Sequence, residues 1–312
     1  MSDRLQTMPE NIPYVLITPA HNEEAYIDKT IQAVLAQSMR PLKWIVVSDG
    51  STDNTDNIVK GYLDANPWME LVRLPELRDR SFAAKVTAFN AGFEKVKDLD
   101  YAVIGNLDAD ISFDSDYLEF LMGKFLQDSR LGVAGTPFVE ESGYSSASDS
   151  YEGGKHVAGG CQLFRRECFE EVGGYIPVKG GGIDWIAVTT ARMKGWKTRS
   201  FHEKHFFHYR SLGTAERNGL GATFDYGKKD YYLGGHPVWE LFRVAYRMKK
   251  KPYFVGALAL LSGYLWGGVT RMQRPVSNDL MQFHRHEQME KLKLILKAVL
   301  SRKKIDKYDT GQ

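Results

Sequence analysis

Residues 101–110 read Tyr-Ala-Val-Ile-Gly-Asn-Leu-Asp-Ala-Asp, an apolar run that ends in two carboxylates on alternate positions. A short, contiguous apolar run is typical of a strand buried on both faces of a sheet. The same order, an apolar run and then a polar loop, occurs at 14–24 and at 43–53. Polar groups therefore follow the predicted strand ends, which is where open α/β sheets bind ligands.

Strand and helix patterns alternate through the first 136 residues. The predicted strands are 14–18, 43–48, 69–74, 101–107 and 131–136. The predicted helices are 23–37, 55–63, 82–96 and 117–127. Apolar strands separated by helices predict a mostly parallel sheet that is covered on both faces.

The pattern changes after Pro137. A polar loop is expected at 140–154, a short strand at 160–165, and short helical or extended segments after that, at 167–172, 184–194 and 198–205. We therefore predict one domain at 12–230, with halves at 12–136 and 137–230, followed by a tail at 231–312.

Charge is distributed unevenly along the chain. Residues 1–230 hold 26 basic and 33 acidic side chains, whereas residues 231–312 hold 15 basic and 6 acidic ones. A hydrophobic content of 43% with 26% charged residues excludes wholesale disorder. Because no basic stretch interleaved with aromatic residues runs through the body, we predict no nucleic-acid partner.

The two cysteines and the N-terminus bear on the compartment. Cys161 and Cys168 lack the spacing of a zinc site or a redox motif and are too few for a disulfide scaffold, so we expect free, buried or half-buried thiols. The polar stretch 1–11 has no apolar signal-peptide region, which predicts that the body of the chain faces the cytoplasm.

Each motif after a strand has a structural and a chemical interpretation. Asn22 and Ser51 can cap helices, which would explain the first two motifs without any ligand. Asp108 and Asp110 repel each other and have no basic residue beside them in sequence. A hard divalent cation such as Mg²⁺ or Mn²⁺ removes that cost, because it accepts carboxylate and phosphate oxygens.

Together these motifs resemble those of bacterial family 2 glycosyltransferases, which have the GT-A fold. The resemblance covers roughly residues 12–215, and its order and spacing are more specific than any single motif. The matching segments are 17–24, 47–55, 107–110, 159–166, 173–175 and 182–185. It implies an α/β fold with a mostly parallel, Rossmann-like sheet flanked by helices, here followed by a helical C-terminal extension.

The resemblance also implies roles for individual residues. Pro19, Asn22 and Glu24 would line the nucleotide pocket, and Asp49 would accept a hydrogen bond from the base, most often the N3–H of uracil or thymine. Asp108 would lie near the ribose and the metal. Asp110 would bind the Mg²⁺ or Mn²⁺ that bridges the diphosphate, and Asp184 would be the general base of an inverting transfer.

Two departures from the family pattern affect this interpretation. Ile183 stands where the family commonly has Glu before its base, and Asp184 could instead be the N-cap of the next helix. The Gln-x-x-Arg-Trp motif of processive synthases is absent, so we predict transfer of one sugar per encounter.

Several cationic residues are further candidates. Lys85, Arg78 or Arg80 could meet the diphosphate, or form a solvated helix start. His208, in a segment that resembles one closing over the diphosphate, is a candidate metal or phosphate ligand, or a structural histidine. The odd spacing of His205 from His202 and His208 argues against a three-histidine site.

The tail contains an uncharged stretch of 19 residues, 252–270, with basic residues on both sides. At about 1.5 Å per residue this stretch is barely long enough to span a bilayer. We considered interfacial or re-entrant attachment, one membrane span, and a helix packed on protein. The basic amphipathic pattern at 280–300 favours the first, on the inner face of the cell membrane.

The sequence thus predicts a metal-dependent glycosyltransferase. Its donor would be a nucleoside-diphosphate sugar, UDP- or dTDP-linked, and its acceptor a glycan or lipid-linked glycan used in cell-surface polysaccharide synthesis. The alternatives are a nucleotidyltransferase that makes nucleotide sugars, disfavoured by the acidic loop at 20–24, and a non-catalytic, membrane-bound glycan-binding scaffold.

Overall fold

A computed structural model describes residues 12–75, 82–149, 153–178, 180–210, 219–249 and 251–301. The chain divides into two compact units, Met1–Arg210 and Ser211–Gln312. The predicted boundary at 230 falls later, near the end of a helix at Gly219–Tyr232. That helix packs extensively on a helix at Tyr253–Val269 and therefore belongs to the second unit.

Strands and helices alternate through most of the first unit. Its described strands are β1 (Tyr14–Ala20), β2 (Lys43–Asp49), β3 (Met69–Leu74), β4 (Val103–Leu107), β5 (Ile111–Ser112), β6 (Leu131–Gly135), β7 (Phe138–Glu140), β8 (Cys161–Arg165), β9 (Lys197–Ser200) and β10 (Phe206–His208). Its described helices are α1 (Ile27–Leu35), α2 (Thr55–Leu63), α3 (Phe82–Phe93), α4 (Tyr117–Gln127), α5 (Ser146–Asp149), α6 (Arg166–Val172) and α7 (Ile183–Met193).

Seven strands form the central sheet, in the order β3-β2-β1-β4-β8-β6-β9. Neighbouring strands are parallel except at β8, which runs antiparallel to both β4 and β6. Every residue of β4 is buried, as a strand covered on both faces requires. The predicted mostly parallel sheet flanked by helices is confirmed, and β1, β2 and β4 end at the same edge.

A second, three-stranded sheet was not predicted. Its order is β5-β10-β7, with His208 of β10 opposite Ile111 of β5 in an antiparallel pair. We expected one extended segment at 198–205, but the chain forms β9, a turn, and then β10. Strands of two or three residues are too short to show a periodic hydrophobic pattern, so the sequence does not reveal them.

The first helix begins later than predicted. Asn22 has a left-handed backbone with φ of 54°, and the Glu23 carbonyl accepts hydrogen bonds from the N–H groups of Tyr26 and Ile27. These turns occupy the residues that we expected to be helical from position 23, so α1 starts at Ile27. The helices predicted at 55–63 and 117–127 have the bounds observed for α2 and α4.

The second unit is helical in its described residues, which confirms the expected C-terminal extension. Its helices are α8 (Gly219–Tyr232), α9 (Pro237–Arg247), α10 (Tyr253–Val269) and α11 (Asn278–Leu300). Helix α9 starts with Pro at its first position, where the missing N–H costs nothing. Ser277 is the N-cap of α11, and its hydroxyl oxygen accepts a hydrogen bond from the Leu280 N–H at 3.1 Å.

Helices α8 and α10 pack with their backbones in contact. A Cβ atom placed on Gly227 of α8 would lie 1.9 Å from the Leu260 carbonyl oxygen of α10. A Cβ on Gly263 of α10 would lie 1.9 Å from the Phe224 carbonyl oxygen of α8. Only glycine fits at these two positions, and it allows the two helices their close approach.

The uncharged stretch 252–270 is almost entirely helix α10, and its glycine-rich side packs on α8. None of the helices in the described part of the chain combines the length and the apolarity needed to cross a membrane.

Both cysteines are buried free thiols, as predicted. Burial raises the pKa of Cys161 to about 12 and that of Cys168 to about 12, so neither is an activated thiolate at neutral pH.

Replacing Gly263 with Ala should destabilise the second unit. The new methyl group forces α8 and α10 apart, and such overpacking typically costs about 1–3 kcal/mol of unfolding free energy. The matched control is Gly268→Ala, because a Cβ on Gly268 would lie 3.6 Å from its nearest neighbour, Tyr231. Urea denaturation followed by tryptophan fluorescence measures both. Equal stability of the two variants would contradict the close backbone contact.

Candidate functional site

Asp108, Asp110 and His208 converge at the edge where the central strands end. Each offers one ligand atom, and these atoms all lie within 4.8 Å of one another. Asp108 directly follows β4, and Asp110 directly precedes β5. His208 reaches the same place because β10 pairs with β5.

The chemistry of the three groups suits a cation. The Nδ1 atom of His208 lies within hydrogen-bond distance of the Arg210 carbonyl oxygen, and because a carbonyl only accepts, Nδ1 carries the hydrogen. In neutral imidazole the lone pair is then on Nε2, which faces Oδ1 of Asp110 at 3.6 Å. Two carboxylates and a nitrogen lone pair thus meet in one place, which is the donor set of a divalent metal site.

Burial strengthens the electrostatic repulsion between the carboxylates of this cluster. Asp110 is 6% exposed and His208 is 8% exposed. Burial and the neighbouring Asp108 carboxylate raise the pKa of Asp110. The neighbouring His208, Arg210 and Lys85 side chains act in the opposite direction and lower the pKa of Asp110.

Lys85 lies at the cluster, on α3. Its Nζ is 2.5 Å from Oδ1 of Asp108. Burial alone would lower the pKa of Lys85, but the ion pair with Asp108, assisted by Asp184 and Asp110, raises it, so the ammonium stays charged. The Lys85 side chain thus turns to the carboxylates, and its contact with a diphosphate stays a prediction.

Asp184 stands in the first turn of α7 and belongs to the same group of charges. The N-cap of α7 is Gly182, so the alternative of Asp184 as the N-cap is wrong. A Cβ on Gly159 would lie 2.9 Å from Cβ of Asp184 and 3.1 Å from its Oδ2. A Cβ on the next residue, Gly160, would lie 3.7 Å from Oδ2 of Asp108. Two consecutive glycines thus lie next to Asp184 and Asp108, respectively.

Arg210 is a charged neighbour whose place the sequence did not reveal. Its Nη2 donates to Oε2 of Glu23 at 2.6 Å, and its Nε lies 3.9 Å from Oδ2 of Asp110. Glu23 is 187 positions away in the chain, so no local pattern could have paired the two. The only available signal was the position of Arg210 two residues after His208.

Aromatic stacking holds this segment against α1. The rings of Tyr26 and Tyr209 stack with centroids 5.8 Å apart, and Lys29 lies 4.1 Å from the Tyr209 centroid. The Tyr209 hydroxyl and the Ser112 hydroxyl are 2.9 Å apart. The backbone that carries His208 is therefore anchored to both α1 and β5.

The loops after β1 and β2 are tied together by hydrogen bonds. The Thr52 N–H donates to Oδ1 of Asn22 at 2.8 Å, and the Asn54 N–H donates to Oε2 of Glu24 at 2.9 Å. In return, the Glu24 N–H donates to Oδ2 of Asp53 at 3.0 Å. The side-chain oxygens of Asn22 and Glu24 thus shape the loop that a nucleotide would meet.

The remaining predicted residues lie at the same edge or outside it. Asp49 is the last residue of β2 and is half-buried, and its carbonyl lies 2.6 Å from Nδ1 of His21. Pro19 is half-buried in β1, opposite Val47 of β2. His202 and His205 are exposed and outside the three-residue cluster. Arg78 and Arg80 lie outside the described residues.

Sequence comparison connects residues 15–150 to one family. Residues 15–150 match the family model described as glycosyl transferase family 2. The poly-beta-1,6-N-acetyl-D-glucosamine synthase of Staphylococcus aureus (strain COL) is 32% identical over 131 residues, 42% of this chain and 29% of that protein. The chondroitin synthase of Pasteurella multocida (strain Pm70) is 29% identical over 126 residues, 40% of this chain and 12% of that protein. The match thus spans less than a third of either relative's length.

Solved structures share the fold over most of the chain. The mannosyltransferase PcManGT from Pyrobaculum calidifontis, in complex with GDP-Man and Mn²⁺, has a TM-score of 0.54 at 18% identity, over 93% of this chain and 87% of that chain. GalNAc-T7 with UDP, GalNAc and Mn²⁺ has a TM-score of 0.60 at 15% identity, over 94% and 58%. TarS of S. aureus has a TM-score of 0.54 at 14% identity, over 95% and 54%. At these identities the likeness shows the GT-A type of fold alone.

Replacing Asn22 with Gly should destabilise the first unit. Glycine keeps the left-handed backbone but removes the acceptor for the Thr52 N–H, and such a hydrogen bond contributes about 0.5–1.5 kcal/mol to the unfolding free energy. Asn22→Asp keeps an acceptor oxygen and is the matched control. Thermal unfolding should rank the Asp variant close to the original chain and the Gly variant below both. The reverse order would refute the structural role of this side chain.

Proposed function

Because residues 15–150 match the family model described as glycosyl transferase family 2, we propose that the chain is an inverting, divalent-metal-dependent glycosyltransferase. It transfers a single sugar from a UDP- or dTDP-linked donor to a hydroxyl of a glycan or lipid-linked glycan. The observation that carries the proposal is the convergence of Asp108, Asp110 and His208 at the ligand-binding edge of the sheet.

The donor set argues for the ion. Two carboxylates and an imidazole nitrogen suit Mn²⁺ better than Mg²⁺, because Mg²⁺ prefers oxygen ligands in ideal octahedral geometry. PcManGT is described in complex with GDP-Man and Mn²⁺, and GalNAc-T7 with UDP, GalNAc and Mn²⁺. When bound, the metal neutralises charge that develops on the departing nucleoside diphosphate.

The residues of this chain supply the rest of the reaction. Asp184 accepts the proton of the acceptor hydroxyl, whose oxygen attacks the anomeric carbon from the face opposite the diphosphate. The bond from that carbon to the phosphate oxygen breaks, and its electron pair leaves with the nucleoside diphosphate. Lys85 and Arg210 carry positive charge beside the carboxylates and stabilise the negative charge of the leaving group.

The polar loops orient the donor. Asp49, at the end of β2, accepts a hydrogen bond from the N3–H of the uracil or thymine base, and Pro19 lines the same pocket. Asn22 and Glu24 act on the pocket through the loop that they hold. The carboxylates of this loop disfavour a nucleoside triphosphate substrate, which separates the proposal from a nucleotidyltransferase.

That the chain transfers one sugar at a time, and does not build a polymer, is part of the proposal. The matched relatives are named as polymer synthases, but they match at 40–42% of this chain. The absence of the Gln-x-x-Arg-Trp motif supports a single addition. We place the enzyme in the cytoplasm, with its C-terminal unit attached peripherally or monotopically to the inner face of the cell membrane.

The metal assignment is tested by Asp110→Asn. This variant loses one charged ligand, so metal-stimulated release of UDP or dTDP from a panel of nucleotide sugars should fall by about 100-fold or more. Calorimetry should show the matching loss of Mn²⁺ binding in the presence of UDP. Asp64→Asn, on an exposed carboxylate after α2, is the control and should behave as the unaltered chain. Full metal-dependent turnover in the Asp110 variant would reject this site, and absence of nucleotide binding in the unaltered chain would favour the scaffold alternative.

The base assignment is tested by Asp184→Asn. This variant keeps the size of the side chain and the metal cluster, so UDP and Mn²⁺ should bind with unchanged affinity. Turnover should drop by about 10²–10⁴-fold, because only the proton acceptor is removed. Loss of binding and turnover together would show that Asp184 supports the donor site and is not the base.

A further inference from the structure

Helix α10 has apolar side chains on its exposed side, and the packing of the second unit does not account for them. The helix has no charged residue, and its inner side contributes Gly256, Ala257, Leu260, Gly263 and Gly267 to the interior. Its outer side carries Phe254, Leu258, Leu265 and Val269, which are 68%, 61%, 55% and 80% exposed. The spacing of four, seven and four residues places these four side chains on one stripe. We call them the α10 stripe.

Exposed apolar residues also occur beside the stripe. Tyr253 and Trp266 of α10 are exposed by 50% and 53%. Such amphipathic rings are enriched where a protein meets the boundary between lipid and water. A row of exposed apolar side chains along a folded helix indicates an interaction site, because a helix that only supports a fold buries its apolar side.

The charge around the stripe is positive, which favours an anionic partner. Residues 241–278 contain seven Lys or Arg and no Asp or Glu. Lys249 and Lys251 before α10 and Arg271 after it are exposed, so both ends of the stripe carry positive charge. A symmetric contact between two copies would bring these like charges close to one another, which costs energy. Anionic phospholipid headgroups complement them.

The length of the helix defines the mode of contact. Seventeen residues extend about 25 Å, less than the hydrocarbon thickness of about 30 Å. The inner side of the helix is also committed to α8 through glycine contacts. Only the outer stripe is available, so contact with a membrane would be along its surface and not across it.

We propose that the α10 stripe is a monotopic docking surface for a bilayer that contains anionic phospholipid. The four apolar side chains and Trp266 enter the headgroup boundary, while Lys249, Lys251 and Arg271 contact lipid phosphates. The proposal gives residues to the membrane attachment suggested above. The docking proposal is tested by lipid binding alone. A negative result would therefore leave the glycosyl-transfer proposal unaffected.

The test uses the full chain with vesicles of phosphatidylcholine, with or without phosphatidylglycerol, in a flotation assay. The unaltered chain should float with the anionic vesicles, and Trp266 should contribute a blue shift in tryptophan emission. The double variant Leu258→Gln and Leu265→Gln should lower the partition coefficient by roughly tenfold or more, since both side chains lose apolar burial in lipid. Leu42→Gln, on an exposed leucine of the first unit, is the control and should float normally.

A second variant separates the electrostatic from the apolar contribution. Replacing Lys249, Lys251 and Arg271 together with Gln should abolish the preference for anionic vesicles, while the weaker binding to phosphatidylcholine stays the same. Circular dichroism verifies that each variant is folded, which is expected because every changed side chain is exposed. Undiminished flotation of the double-leucine variant overturns the proposal. The proposal is also overturned if the unaltered chain does not bind vesicles but sediments as a dimer, and the double-leucine variant sediments as a monomer.

Discussion

Electrostatic repulsion between the Asp108 and Asp110 carboxylates is the constraint on which the first unit depends. The two groups follow one buried strand, and Asp110 is itself buried, so water cannot fully screen its charge from that of Asp108. The surrounding structure supplies compensation from separate elements. Lys85 on α3 pairs with Asp108, and Arg210 beyond β10 approaches Asp110. The same concentration of negative charge makes this place suitable for a divalent cation.

The small β5-β10-β7 sheet explains how the cluster is completed. It places His208 beside Asp110, and the Arg210–Glu23 ion pair and the Tyr26–Tyr209 stack hold the following residues against the turns that precede α1. The loop that begins α1 is in turn tied to the loop after β2 through Asn22 and Glu24. The loops after β1 and β2 are thus connected to Asp108, Asp110 and His208 through side-chain contacts, so a substitution in these loops can alter the geometry of the cluster.

The second unit is held together by close helix packing. Its helices α8 and α10 are held by backbone contact at Gly227 and Gly263, which leaves the large apolar side chains of α10 free to face outward. Glycine in a helix weakens its intrinsic stability, and here the loss is balanced by close packing. This arrangement turns an uncharged sequence of apparent membrane-spanning character into a helix with one packed side and one exposed side.

The sequence by itself determined the parallel sheet, the bounds of α2 and α4, the carboxylates at the strand ends and the helical C-terminal region. These depend on local apolar periodicity and on strand ends meeting at one edge, which residue order reveals. Only the tertiary structure decided that Asp184 lies inside α7, that Arg210 pairs with Glu23, and that the unit boundary precedes α8. The reason is sequence distance: a contact across 187 residues, or a helix approach controlled by two glycines, leaves no periodic trace in the chain.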